Sequence, residues 1–150
     1  MMKRMMWCWT LAFVCLTGCD GKLELAKGGR TDYAVVVDRT AADEVKFVAR
    51  DLANVLRKVA EDFRGELVVT ENGLGTADDS RRVEFIRRAL EGVRGCLEDG
   101  LPVRGYFHWS LLDNFEWQKG FAMTFGLIAV DRSTMERLPK PSLRFLGSQR

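Results

Sequence analysis

Between residues 66 and 112 the chain reads strand, helix, strand, and no other feature narrows its possible folds as much. The run "ELVVT" at 66–70 is compact and rich in β-branched residues. Asp78-Asp79-Ser80 then announces a helix whose apolar positions Val83, Ile86, Leu90, Val93 and Leu97 step by three and four. Gly100 ends it where a left-handed residue is wanted. After Pro102 a second strand, "VRGYFHWSLL", begins at Val103. Two strands joined through a helix run parallel, and parallel strands are buried beneath helices. The unit therefore belongs to an α/β fold with a larger sheet or barrel.

A similar pattern precedes it. Residues 33–37, "YAVVV", fit a buried strand. Thr40 and Asp43 have the spacing of a capping box. Val45, Val48, Ala49, Leu52, Val55, Leu56 and Val59 then form one apolar helix face, opposite Lys46, Arg50, Asp51 and Arg57. Residues 20–60 read as a strand-helix unit separate from the one that begins at Glu66. Residues 28–56, with their "A-x-D-L-x-x-x-L" helix, resemble the opening of the small amino-terminal domain of α-glucuronidases and related envelope lipoproteins.

The first 22 residues read as an export signal: Lys3-Arg4, an uncharged apolar run over 5–17, and the small-residue end Leu16-Thr17-Gly18-Cys19. The apolar run is well short of the roughly 20 residues that span a bilayer. Its end resembles a bacterial lipobox, with residues 1–19 as a lipoprotein-type signal and Cys19 as the lipid attachment site. Acyl chains anchor by burying methylenes at about 0.8 kcal/mol each, so the expected location is a membrane surface of the bacterial envelope. Three of the four cysteines, Cys8, Cys15 and Cys19, lie here, and Cys96 is left as a small residue at the edge of a helix face. No CxxC with further ligands is present, so no metal site is expected. With 23 basic and 21 acidic residues evenly mixed, no basic stripe suited to nucleic acid exists either.

The chemistry gathers at two strand ends. In a βα barrel the reactive groups sit at the carboxyl ends of strands. Glu71 follows "LVVT" there, and "HWSLLDNFEW" follows "VRGYF". Trp109, Phe115 and Trp117 offer flat faces for a sugar ring, and Asp113, Asn114 and Glu116 offer acceptors for its hydroxyls. His108 alternates with Trp109 along a strand and so points into the barrel wall. Aromatic faces rimmed by carboxylates are what a carbohydrate site is expected to offer.

The motifs Thr70-Glu71-Asn72-Gly73, "GYFHWSLLDNFEW", "FGL" and "PKPS" together resemble the carboxyl-terminal part of glycoside hydrolase family 1, the β-glucosidase family, over residues 66–150. The resemblance implies a partial (β/α)₈ TIM barrel holding the last two βα units, preceded by the separate βα unit. It implies Glu71 as the nucleophile that forms a covalent glycosyl-enzyme. It implies Trp109 as an aromatic wall, Glu116 and Trp117 as partners of sugar hydroxyls, and Phe125 as a ring lining the same pocket. Substrates would be β-linked glucosides or galactosides, cleaved with retention and without a cofactor.

A retaining glycosidase needs two carboxyl groups about 5 to 5.5 Å apart. The resemblance places the second in an Asn-Glu-Pro motif, which does not occur in these 150 residues. The leading expectation is a β-glucosidase-like chain without its acid/base and inactive alone, with a change of resemblance near residues 58–66. The rival is a membrane-tethered carbohydrate-binding or structural lipoprotein. Bacterial members of the family are usually cytoplasmic, which sets the signal and the carboxyl-terminal part at odds.

Overall fold

The computed structural model describes the backbone of residues 12–14, 33–41 and 45–149, and side chains from Leu52 onward. Its elements run β1 (Ala12–Val14), β2 (Tyr33–Ala41), α1 (Val45–Asp62), β3 (Glu66–Gly75), α2 (Asp79–Glu98), β4 (Val103–His108), a short 3₁₀ turn (Trp117–Lys119), β5 (Ile128–Val130), β6 (Arg137–Pro139) and α3 (Pro141–Gly147). Strands β1 to β4 form one sheet in chain order, every pair parallel, and β5 and β6 form an antiparallel hairpin.

The strand-helix unit at the amino-terminal side does not stand apart, as its sequence suggested. β2 pairs with β3 from Tyr33↔Glu66 to Ala41↔Gly75, so both βα units build a single sheet. The physical reason is shared burial: Leu52, Leu56 and Val59 of α1 enter one core with Leu67 and Val69 of β3 and Ala89, Val93 and Cys96 of α2. Neither helix covers the sheet alone. At the other end of α2, Phe85 and Ile86 pack with Leu74 and Leu127, and α3 closes over them with Leu143 and Leu146.

Several boundaries differ from the sequence reading. β2 continues to Ala41 because Thr40 pairs with Leu74, so Thr40 is a strand residue and not a helix cap. Its proposed partner Asp43 lies outside the described residues. β4 stops at His108, short of Trp109. The buried stripe of α2 is Arg82, Phe85, Ile86, Ala89, Val93 and Cys96, rotated from the expected one, and Leu97 is 49% exposed. Both stripes obey helical spacing; the packing of α1 against α2 selects the one through Cys96, whose thiol is fully buried and donates to the Ala53 carbonyl. Burial pushes that thiol's pKa up. The helix ends behave as read: Asp78 accepts from the Ser80 amide at 3.0 Å, and Gly100 has φ 82°.

Ala12–Val14, inside the apolar run read as an export signal, pairs with Ala34–Val36 as an outer strand of the sheet. Cys19 lies outside the described residues. Among the described residues no helix is long and apolar enough to cross a membrane.

Candidate active site

Glu71 does not follow β3, as the sequence suggested; it lies within it, since the strand extends to Gly75. Its placement depends on an irregularity. On the β2 side the pairing passes from Val36↔Val69 to Val37↔Glu71, skipping Thr70. On the β4 side it passes from Val69↔Tyr106 to Asn72↔His108. β3 thus carries an extra residue at Thr70-Glu71 against both neighbours, which is a β-bulge.

The bulge decides which way Glu71 faces. Leu67 and Val69 point to the helices and are fully buried. Strict alternation would carry Glu71 into that same apolar core, where a carboxylate without ideal partners is strongly disfavoured. After the extra residue the helix-side positions become Asn72 and Leu74. Leu74 joins Phe85 and Ile86, and buried Asn72 accepts the Tyr106 hydroxyl at 2.8 Å. Glu71 consequently faces the opposite side of the sheet, partly exposed.

The Trp109 backbone is brought against the two residues of β3 that follow Glu71. Its amide donates to the Asn72 carbonyl at 3.0 Å, and its peptide bond to Ser110 is cis. Gly73 permits this approach: a Cβ there would stand 1.8 Å from the Trp109 carbonyl oxygen, a backbone atom with no freedom to retreat. From Trp109 the chain turns back beside β5, with the Leu127 amide donating to Ser110 and the Ile128 amide to Leu111, both at 2.9 Å.

Of the three acceptors expected in "LLDNFEW", the structure separates one from the others. Asp113 is not open to a ligand, because Lys140 Nζ holds both its oxygens at 3.0 and 3.1 Å and the Gly126 amide donates to Oδ1 at 2.8 Å. Burial pulls the Lys140 ammonium pKa down, and its hydrogen bond to Asp113 works against that. Asn114 and Glu116 form a unit: Asn114 Nδ2 donates to Glu116 Oε2 at 3.1 Å, and Ser110 Oγ donates to Asn114 Oδ1 at 3.1 Å. Trp117 is 78% exposed. Phe125 is 5% exposed, its ring lying against Gly75, while its carbonyl faces His108 Nε2 at 3.3 Å and the Ser110 amide at 3.4 Å. His108 is therefore a wall residue, as its position beside Trp109 suggested.

Sequence reasoning passed over Arg82. Its side chain is completely buried, with Nη2 donating to the carbonyls of Thr76 and Thr124 and Nη1 paired with Asp79. Thr124 Oγ1 also donates to the Thr76 carbonyl at 2.8 Å. The segment after β3 is thereby stapled to the segment carrying Phe125. Asp79 in turn accepts the amide and hydroxyl of Ser142, both at 2.8 Å. Burial works to raise the Asp79 pKa, but the hydrogen bonds from Ser142 and Arg82 win and lower it. A signal did exist: Arg82 falls at core spacing with Phe85, Ala89 and Val93, where an arginine has to find buried partners.

The arrangement gives one carboxylate at a bulge within a strand, an aromatic residue whose backbone is tied to Asn72 and Gly73 next to it, and a second carboxylate on a braced turn. Comparison with known proteins gives it a context. Residues 19–149 match the model of glycosyl hydrolase family 1, so the match reaches well ahead of Glu66 and takes in β2 and α1. A 6-phospho-β-galactosidase of Staphylococcus haemolyticus is 35% identical over 140 residues, covering 84% of this chain and 30% of the relative. β-Glucosidase A of Thermotoga maritima is 34% identical over 134 residues, covering 73% of this chain and 30% of its own. The solved apo structure of a β-glucosidase superposes with a TM-score of 0.73 at 43% identity, over 79% of this chain and 34% of that one. The chain thus spans about 30% of the length of the curated relatives it matches. With its parallel α/β sheet and a match to the family's model over residues 19–149, the chain belongs to glycosyl hydrolase family 1.

Proposed function

We propose that this chain carries the nucleophile side of a retaining β-glycosidase site, with β3 and β4 as the last two strands of a TIM barrel and β2 preceding them in the same sheet. Glu71 attacks the anomeric carbon of a β-linked glucoside or galactoside, and a glycosyl ester forms on its carboxylate. Trp109 walls the sugar, Glu116 and Trp117 meet its hydroxyls, and Phe125 closes the pocket behind Gly75. The observation that supports this reading is the bulge at Thr70-Glu71, which turns a carboxylate out of the core to the opposite face of the sheet. No cofactor enters the reaction.

Asn-Glu-Pro does not occur in the 150 residues, so the proposed chain attacks without protonating the leaving group. A positioned proton donor is worth about 10² to 10⁴ in rate, and a leaving group that departs as a stable anion does not need one. An activated substrate therefore supplies the test. Incubation with 2,4-dinitrophenyl 2-deoxy-2-fluoro-β-glucoside should leave a fluoroglucosyl ester on the peptide containing Glu71, detected by mass spectrometry, and Glu71→Gln should leave none. An unlabelled wild-type chain, or a label elsewhere, would sink the assignment.

We also propose that the amino terminus is an export signal cut before a lipid-modified Cys19, which would hold the site at a membrane surface. A signal removed at that point takes β1 with it. Mass spectrometry of the membrane fraction from a bacterial host should find the acylated cysteine as the new amino terminus. A chain that keeps Met1 would sink this reading.

A further inference from the structure

We propose that Arg132 is a positioning residue that holds the Glu116-Trp117 turn in the shape a sugar requires; this deepens the proposed function and rests on its reading of that turn as part of the sugar site. The turn has little core of its own. Trp117 is 78% exposed, and the flanking Phe115 and Phe121 are 58% and 55% exposed. Yet Trp117 adopts φ 41°, in the left-handed region that a tryptophan disfavours. A residue held there needs surroundings that over-determine it.

Within the turn, the Glu116 amide donates to the Gly120 carbonyl at 2.7 Å and the Lys119 amide to the Glu116 carbonyl at 2.8 Å. Those bonds close the loop on itself. Asn114, held by Ser110, ties the Glu116 carboxylate to the fold, and Arg132 ties the aromatic pair. Its Nη2 donates to the Asp113 carbonyl, and the same guanidinium lies 4.3 Å from the centroid of the Phe121 ring. Phe121 meets Phe115 edge-to-face, with centroids 5.2 Å apart and planes at 77°. Asp113 is itself immobilised by Lys140 and the Gly126 amide. Arg132 therefore joins a fixed point of the fold to the aromatic pair that brackets Glu116 and Trp117. An arginine suits the place because its plane stacks on a ring while its edge donates.

The test uses the full chain labelled with 5-fluorotryptophan, whose four resonances are assigned by single Trp→Phe substitutions. Arg132→Ala should shift and broaden the Trp117 resonance and leave that of Trp109 in place. Arg132→Lys, which keeps a cation but cannot stack on Phe121 and donate to Asp113 at once, should restore only part of the wild-type signal. Phe121→Leu, a milder cut that keeps an apolar side chain, should disturb Trp117 in the same way. Glucose or cellobiose titrated onto the same resonances should bind about tenfold more weakly to Arg132→Ala, the scale of one cation–π contact with one charge-assisted hydrogen bond. An unchanged Trp117 resonance in Arg132→Ala overturns the proposal. So does a joint collapse of Trp109 and Trp117, which would make Arg132 a general support of the fold. If the wild type responds to neither sugar, the sugar reading fails, while the ligand-free Trp117 signal still decides whether Arg132 orders the turn.

Discussion

Replacing Arg82 by methionine is expected to destabilise the fold by about 4 kcal/mol, within the range for breaking a buried ion pair from one side. Methionine fills much of the space but donates nothing. The carbonyls of Thr76 and Thr124 and the carboxylate of Asp79 lose their bonds to the guanidinium together. One gain offsets part of this, because Arg82 Nε has no hydrogen-bond partner among the described residues and disappears with the substitution. The measurement is the denaturant midpoint at constant slope. Arg88→Met is the control: Arg88 pairs with Glu84 at 2.5 Å, but about a third of each side chain is exposed, so its loss should cost under about 1 kcal/mol. Equal losses from the two variants would mean that Arg82 is no staple. The effect should also reach the site, since Thr76 and Thr124 border β3 and Phe125.

How much of this was written in the sequence depends on the range of the interactions involved. The strand-helix-strand order from Glu66 to His108 was legible because hydrophobic periodicity is local, and Asp78 and Gly100 mark the helix ends by local backbone chemistry. The family was legible because Thr70-Glu71-Asn72-Gly73 and "NFEW" are contiguous. The bulge was not: nothing in "LVVTENG" says that β3 carries an extra residue at Thr70-Glu71 against both neighbouring strands, because a register is a property of three strands at once. The same holds for the buried stripe of α2. Leu97 and Cys96 have equal claims by spacing, and only the position of α1 decides between them. Asp113 offers the starkest case, since as a residue type it suits a sugar hydroxyl as well as Glu116 does. Lys140, 27 residues away, takes it out of the site. The junction placed near residues 58–66 rested on a change of resemblance, whereas β2 and β3 share a sheet and the family match begins at residue 19.

The pH dependence of stability should have a step traceable to one side chain. His108 is the only histidine of the chain, and its pKa is lowered to about 4, first by burial. The Phe125 carbonyl opposes that shift, as does Asp79, while Arg82 and Lys140 reinforce it. A carbonyl only accepts, so Nε2 carries the proton in the neutral ring and donates to Phe125. In the unfolded chain the imidazole titrates near its ordinary value of about 6.5. Between the two values the unfolded state binds more protons than the native state, so stability rises with pH across this window. It is complete above about pH 6.5 and is lost as the pH falls toward 4, by about 3 kcal/mol at roughly 1.4 kcal/mol per pH unit. The carboxylates with lowered values act further down: Glu84, held at about 2 by Arg87 and then Arg88, loses its contribution below the histidine window. Unfolding free energies at pH 7 and pH 4.5 should therefore differ by most of the histidine's share. His108→Gln, which keeps an N–H for Phe125 and does not titrate, should flatten the slope between them. A slope that survives this substitution would place the titrating group elsewhere and leave the neutral ring beside Trp109 without support.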